Sequence, residues 1–259
     1  MARRPMMAAN WKMNKLVREA RGYTEKLLPR IEGSEGVDVA IFAPFTCLGE
    51  VVRLSQDTPV VAGAQNFYYE DSGAFTGEVS APMLEDVGAE AVIVGHSERR
   101  EVFGETDASV ARKTARAISA GLLPVVCVGE TKEERDAGSM WGKVSGQVRA
   151  VFEQIDAGGI GGKAIVFAYE PVWAIGTGET ATPEDAQDAI GRIRSLLGEI
   201  GGEDFADEVR ILYGGSVKPD NVGEIMAQKD VDGGLVGGAS LEAETFAELV
   251  NGAANSNDA

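Results

Sequence analysis

Two rhythms of apolar and polar residues alternate along this chain. Short apolar runs of strand length occupy 6–12, 37–42, 59–64, 91–95, 123–128, 164–169, 209–213 and 233–236. They are apolar through consecutive positions, as strands buried on both faces of a parallel sheet require. Between them, apolar residues recur at helical spacing. Val110, Thr114 and Ile118 mark a predicted helix over 107–120, and Met83, Leu84 and Val87 mark another that Ser80 can cap. Further helices are predicted over 16–28, 46–55, 182–200, 218–228 and 242–250, and over much of 132–155 with a break near Gly138. Thr182-Pro183 is a strong helix start, with a capping hydroxyl followed by a proline at the first position.

The pattern is eight strand-then-helix units with no composition shift between them. It predicts one α/β domain over 1–259, a single closed (β/α)8 barrel, with a polar tail from about 251. An open doubly wound sheet is the rival architecture. It normally carries a glycine-rich fingerprint in the first strand-to-helix turn, and Asn10-Trp11-Lys12 is not one.

Composition narrows the function classes. With 44% hydrophobic residues the chain can build a large core. No apolar segment reaches membrane-span length, so no membrane partner is expected. Arg3-Arg4 is not followed by an apolar stretch of signal-peptide length. The formal charge of −17 argues against nucleic acid and anionic membrane surfaces, but a local site can still oppose that field and take a small anion. Cys47 and Cys127 lack metal or redox spacing and read as free thiols, which points to the cytoplasm.

In such a barrel, chemistry sits at the carboxyl ends of the strands. The residues there are Asn10, Lys12, His96, Glu130, Glu170, Ser216 and Gly237-Gly238. Glu170 ends an apolar strand, and Pro171 follows at once. An apolar stretch, Val172 to Ile175, is then closed by Gly176-Thr177-Gly178. Two readings stand for this carboxylate: a general base under a lid, or a helix cap or ion-pair partner beside a buried loop. His96 is the only histidine, which disfavours a multi-histidine zinc site. It precedes a predicted helix start, where partial positive charge disfavours imidazolium and favours a neutral hydrogen-bond donor. Lys12 is either a fixed cation at the mouth or a snorkelling surface lysine. The glycine pairs Gly214-Gly215 and Gly237-Gly238 end strands seven and eight, the usual phosphate position of this barrel.

Six motifs in order resemble the triosephosphate isomerase family over nearly the whole chain. They are Asn10-Trp11-Lys12-Met13-Asn14, Gly73-Ala74-Phe75-Thr76-Gly77-Glu78, Gly95-His96-Ser97-Glu98-Arg99-Arg100, Tyr169-Glu170-Pro171-Val172-Trp173-Ala174-Ile175-Gly176-Thr177-Gly178, Tyr213-Gly214-Gly215-Ser216-Val217 and Val236-Gly237-Gly238-Ala239-Ser240-Leu241. One departure is Glu101, where many members carry a histidine. The resemblance implies interconversion of dihydroxyacetone phosphate and D-glyceraldehyde 3-phosphate through an enediolate. It makes Glu170 the base and His96 the neutral electrophile. Lys12 and Asn10 stabilise the enediolate and hold substrate, and Glu98 supports the site from beside His96. Gly176, Ser216, Gly237 and Gly238 bind the phosphate, and no metal or organic cofactor is implied. It also implies a homodimer through the polar segment 65–79, from Gln65 to Val79, which brings Thr76 near the neighbouring active site. The competing functions are a Schiff-base aldolase on the same barrel, for which Lys12 is the candidate lysine, and a non-catalytic phosphate-binding barrel.

Overall fold

The computed structural model describes residues 3–174 and 181–255. Its strands are β1 (Met6–Asn10), β2 (Asp38–Ala43), β3 (Val60–Ala64), β4 (Ala91–Val94), β5 (Leu123–Glu130), β6 (Val166–Pro171), β7 (Arg210–Tyr213) and β8 (Gly233–Val236). All eight are parallel and pair in chain order, and β8 returns to β1 to close the barrel. The expected architecture is therefore the one observed.

Side-chain parity along the strands divides the core. Met6, Ala8, Phe42, Ile93, Cys127 and Ala168 belong to a cluster inside the barrel. Met7, Ala9, Ile41, Val126, Phe167 and Tyr169 belong to a second cluster, between strands and helices. The alternation puts Glu170 on the inward parity of Ala168, and Glu130 on the outward parity of Val126. A Cβ on Gly63 would lie 2.5 Å from the Phe42 ring, so the glycine leaves the space that ring fills.

Most differences from the sequence pattern lie at element ends; in the helix Ala81–Val87, however, Leu84 is buried while Met83 and Val87, expected on its apolar face, are exposed. β1 stops at Asn10 because Lys12 adopts a φ of 52°, which no strand can hold. β5 runs two residues beyond the expected end, to Glu130, because it continues to pair with β6 as far as Pro171. An extra helix, Glu203–Glu208, follows Pro183–Gly201. Gly202, at φ 87°, breaks the chain between them, and Phe205 is buried with its ring 5.8 Å from that of Phe152. The last helix, Ala243–Asn255, continues past Val250 because Ala253 extends its buried stripe. The start at Thr182 forms as expected. Its hydroxyl accepts from the Asp185 N–H at 3.1 Å, and the Asp185 carboxylate accepts from the Thr182 N–H at 3.1 Å, a reciprocal cap of about 1 kcal/mol.

Candidate active site

The histidine is aimed by the end of β4. Gly95 takes a φ of 71°, and a Cβ there would lie 2.9 Å from both the Arg100 guanidinium and Val110. That turn makes His96 the cap of the helix Ser97–Phe103. Its Nδ1 accepts the Glu98 backbone N–H at 3.2 Å. An acceptor nitrogen carries no proton, so the neutral ring holds its proton on Nε2. Nε2 lies 3.0 Å from Oε1 of Glu170.

Glu170 is 2% exposed. Its Oε2 accepts the Ser97 N–H at 2.9 Å, and its Oε1 accepts the Ser97 hydroxyl at 3.2 Å. Those donors satisfy the polar oxygens of a side chain this buried. The Cys127 thiol is raised well above its ordinary range, first by complete burial and then by the charge of Glu170. It therefore stays protonated beside the carboxylate.

Lys12 is held in the left-handed region, at a cost of roughly 1–2 kcal/mol for an L-residue. Side-chain bonds to its backbone fix it there. Its N–H donates to Asn10 Oδ1 at 3.0 Å, and its carbonyl accepts from Gln65 Nε2 at 3.0 Å. Gln65 also donates to the Phe42 carbonyl at 3.0 Å, which ties the turn to β2. The Lys12 ammonium donates to Glu98 Oε1 at 2.6 Å. Its stem passes Gly237, where an added Cβ would lie 3.1 Å from Lys12 Cε.

Asn10, Lys12, His96, Glu170, Ser216, Gly237 and Gly238 line one cavity of about 350 Å³. These seven sequence candidates thus meet at the carboxyl ends of the strands. Glu98 stands at its edge through Lys12 and His96. Gly176 lies outside the described residues. Glu130 does not join the mouth, because its outward parity turns it away. It is fully buried, and its Oε1 accepts from Tyr169 OH at 3.0 Å and Trp173 Nε1 at 2.9 Å. Burial raises the Glu130 carboxyl above its usual range, against the lowering effect of those bonds. Sequence reading assigns no role to Ser97, Gln65 or the anchoring carboxylate of Glu130. Strand parity, applied to 123–130, was the signal that could have separated Glu130 from Glu170.

Carbon-acid chemistry beside a carbonyl needs a base over the carbon and a donor aimed at the oxygen. The cavity offers a buried carboxylate, an Nε2–H and an ammonium in one mouth. Among the described residues, no three His, Cys, Asp or Glu side chains are grouped as metal ligands, and no helix is long and apolar enough to cross a membrane.

The family model described as Triosephosphate isomerase matches residues 5–253. A curated relative of that name from Rubrobacter xylanophilus is 72% identical over 252 residues, covering 97% of this chain and 98% of the relative. Another, from Chloroflexus aurantiacus, is 51% identical over 247 residues, covering 95% and 98%. A third, from Moorella thermoacetica, is 51% identical over 249 residues, covering 96% and 98%.

Proposed function

The chain belongs to the triosephosphate isomerase family, and from that membership we propose that Glu170, His96 and Lys12 carry its reaction. That reaction is the interconversion of dihydroxyacetone phosphate and D-glyceraldehyde 3-phosphate, a step of glycolysis and gluconeogenesis. Glu170 takes the proton from the carbon beside the carbonyl and returns it to the neighbouring carbon. The Nε2–H of His96 donates to the carbonyl oxygen as negative charge develops, and moves protons between the two oxygens. The Lys12 ammonium stabilises the enediolate, and the Asn10 amide helps to hold the substrate. Glu98 orients both Lys12 and His96. Ser216, Gly237 and Gly238, with Gly176, take the phosphate. No step draws on a cofactor.

The observation that carries this reading is the 3.0 Å approach of His96 Nε2 to Glu170 Oε1, with Nδ1 closed off by a backbone N–H. It places one donor and one base side by side on the wall of the cavity that a substrate carbonyl would enter. A coupled isomerase assay on wild type and Glu170→Gln tests it. Removing a general base is expected to lower turnover by at least roughly 10²–10⁴-fold. A Gln variant with near-normal turnover would refute the assignment. Trapping of a triose phosphate by borohydride on Lys12 would favour the Schiff-base alternative.

The partner is a second copy of this chain. Residues 71–78 are exposed and carry Thr76 outward. A cavity of about 280 Å³ adjoins the site and is lined by Lys12, His96, Glu98, Phe45 and Phe103. Beside it, Met13 is 96% exposed, Val102 71% and Phe103 69%, an apolar border that a partner would cover. Insertion of the neighbour's Thr76 segment into this cavity completes the surroundings of Lys12 and His96. The working compartment is the cytoplasm, consistent with two buried free cysteines.

A further inference from the structure

A third, smaller cavity of about 70 Å³ lies beside the site. It is wedged between the segments that follow β4 and β5 and the helix Met140–Phe152. Glu170 and Ser97 line it, together with Glu101, Glu134, Lys143 and Gln147. A volume of this size holds about two waters at liquid density, roughly 30 Å³ each, and water occupies a cavity only where polar partners are available. Here they are plentiful, and several are held in place. Glu134 Oε2 accepts the Thr131 N–H at 2.9 Å, and its other oxygen lies 3.5 Å from the Lys143 ammonium. Gln147 Oε1 accepts the Gly129 N–H at 2.8 Å. Glu101 and Lys143 are both exposed and connect the cavity to solvent.

The position matters because the base has two sides. Asn10, Lys12, His96 and the glycine turns line the 350 Å³ cavity on one side, and substrate fills that space when bound. A proton on Glu170 can then return to the substrate carbon. It can reach water only from elsewhere. The small cavity also touches Glu170, yet none of the lysine, histidine or glycine-turn residues of the substrate side lines it.

We propose that this cavity is a water port through which protonated Glu170 exchanges its proton with solvent while substrate still fills the site. The inference rests on Glu170 being the base. In the exchange, the Glu170 carboxyl gives its proton to a water in the cavity, and that water returns one of its own hydrogens to the carboxylate. The hydrogen taken from substrate then leaves as that water exchanges with solvent at the Glu101–Lys143 mouth. No bond to carbon changes, and no co-reactant other than water is required. The port sets how much of the transferred hydrogen derives from solvent, separately from how fast the isomer forms.

The test is isomerisation of unlabelled dihydroxyacetone phosphate in D2O, with glyceraldehyde 3-phosphate removed as it forms. Deuterium at C2 of the product is read by NMR. The double variant Glu101→Leu/Lys143→Leu replaces the charged mouth with apolar side chains outside the catalytic set. Its deuterium uptake is expected to fall by at least about fivefold, well within the roughly 10²-fold that a positioned proton-transfer group contributes, while kcat stays within about twofold. Glu101→Gln, which keeps the mouth polar, is expected to retain wild-type uptake. Glu101→Leu alone, at an exposed helix position, preserves the test if the double variant does not fold, and a partial loss is then expected. Unchanged uptake in a folded Leu variant overturns the port, as does a wild type that incorporates no deuterium. Failure of the base assignment would appear separately, as turnover retained by Glu170→Gln.

Discussion

Substitution of Gly129 by alanine moves the proposed base without touching its side chain. Gly129 pairs with Glu170 in the β5–β6 register. An added Cβ would lie 1.9 Å from the Glu170 carbonyl oxygen, where ordinary contact begins near 3.4 Å. The two strands must therefore separate by about 1.5 Å at this pair, or shift elsewhere to the same effect, because both atoms belong to or adjoin backbone. A displacement of about 1 Å at a reacting group lowers a rate by roughly 10²-fold. The overpacking itself is expected to lower stability by about 1–3 kcal/mol. Gly129→Ala should thus remain folded by circular dichroism while kcat falls by about two orders of magnitude. KM should change less, because three of the four residues proposed to take the phosphate, Ser216, Gly237 and Gly238, follow β7 and β8 rather than β6. Steady-state kinetics in both directions, beside a urea melt, separates the two effects. A folded Ala variant with wild-type kcat would refute the reasoning, since Glu170 would then tolerate a displaced backbone.

Three further outcomes are expected. In ¹⁵N NMR of the single histidine, Nδ1 should read as unprotonated and Nε2 as protonated in the neutral ring, since Nδ1 accepts from Glu98; the opposite tautomer would contradict the proposed electrophile role. Arg194 holds Asp230 at 2.9 Å and Asp232 at 2.5 Å while largely buried, so Arg194→Ala should lower unfolding stability by about 3–5 kcal/mol; a loss under 1 kcal/mol in denaturant titration would contradict it. Glu130 has its carboxyl raised by burial, so its contribution to stability is full below the ordinary carboxylate range and is lost as pH rises through the raised value. The stability of Glu130→Gln relative to wild type should therefore improve as pH rises across that window; a pH-independent difference would show that Glu130 does not titrate there.

The barrel was legible because its signals are long-range and redundant. Eight apolar runs at regular spacing leave few other architectures, and an error of two residues at one strand end changes none of them. Convergence at the mouth was legible for the same reason. Asn10, His96, Glu170, Ser216 and Gly237 are each strand-end residues, and the carboxyl-end rule brings strand ends together. Residues whose role depends on a single contact were not legible. Gln65 holds Lys12 through one amide, across 53 positions of sequence. Nothing in its neighbourhood marks a glutamine as the brace of a lysine. Glu130 shows the opposite failure. It obeys the strand-end rule yet faces away, since one residue of parity separates it from the inward position of Gly129.

These cases together say what the sequence motif encodes beyond catalytic identity. His96 and Ser97 are adjacent, yet they act on Glu170 from different atoms: an imidazole nitrogen at 3.0 Å, and a backbone N–H with a hydroxyl at 2.9 and 3.2 Å. Glu98, one residue further, closes Nδ1 with its backbone and holds the Lys12 ammonium with its side chain. Three consecutive residues at one helix start thus position the proposed base, donor and cation. A helix start can do this because its first N–H groups have no partner within the helix and are free for side chains. Moving His96 by one residue along the chain would transfer its ring to a different face and leave both Nδ1 and Glu170 without their donors. The spacing of this motif is therefore set by the unpaired N–H groups as much as by the chemistry of its side chains.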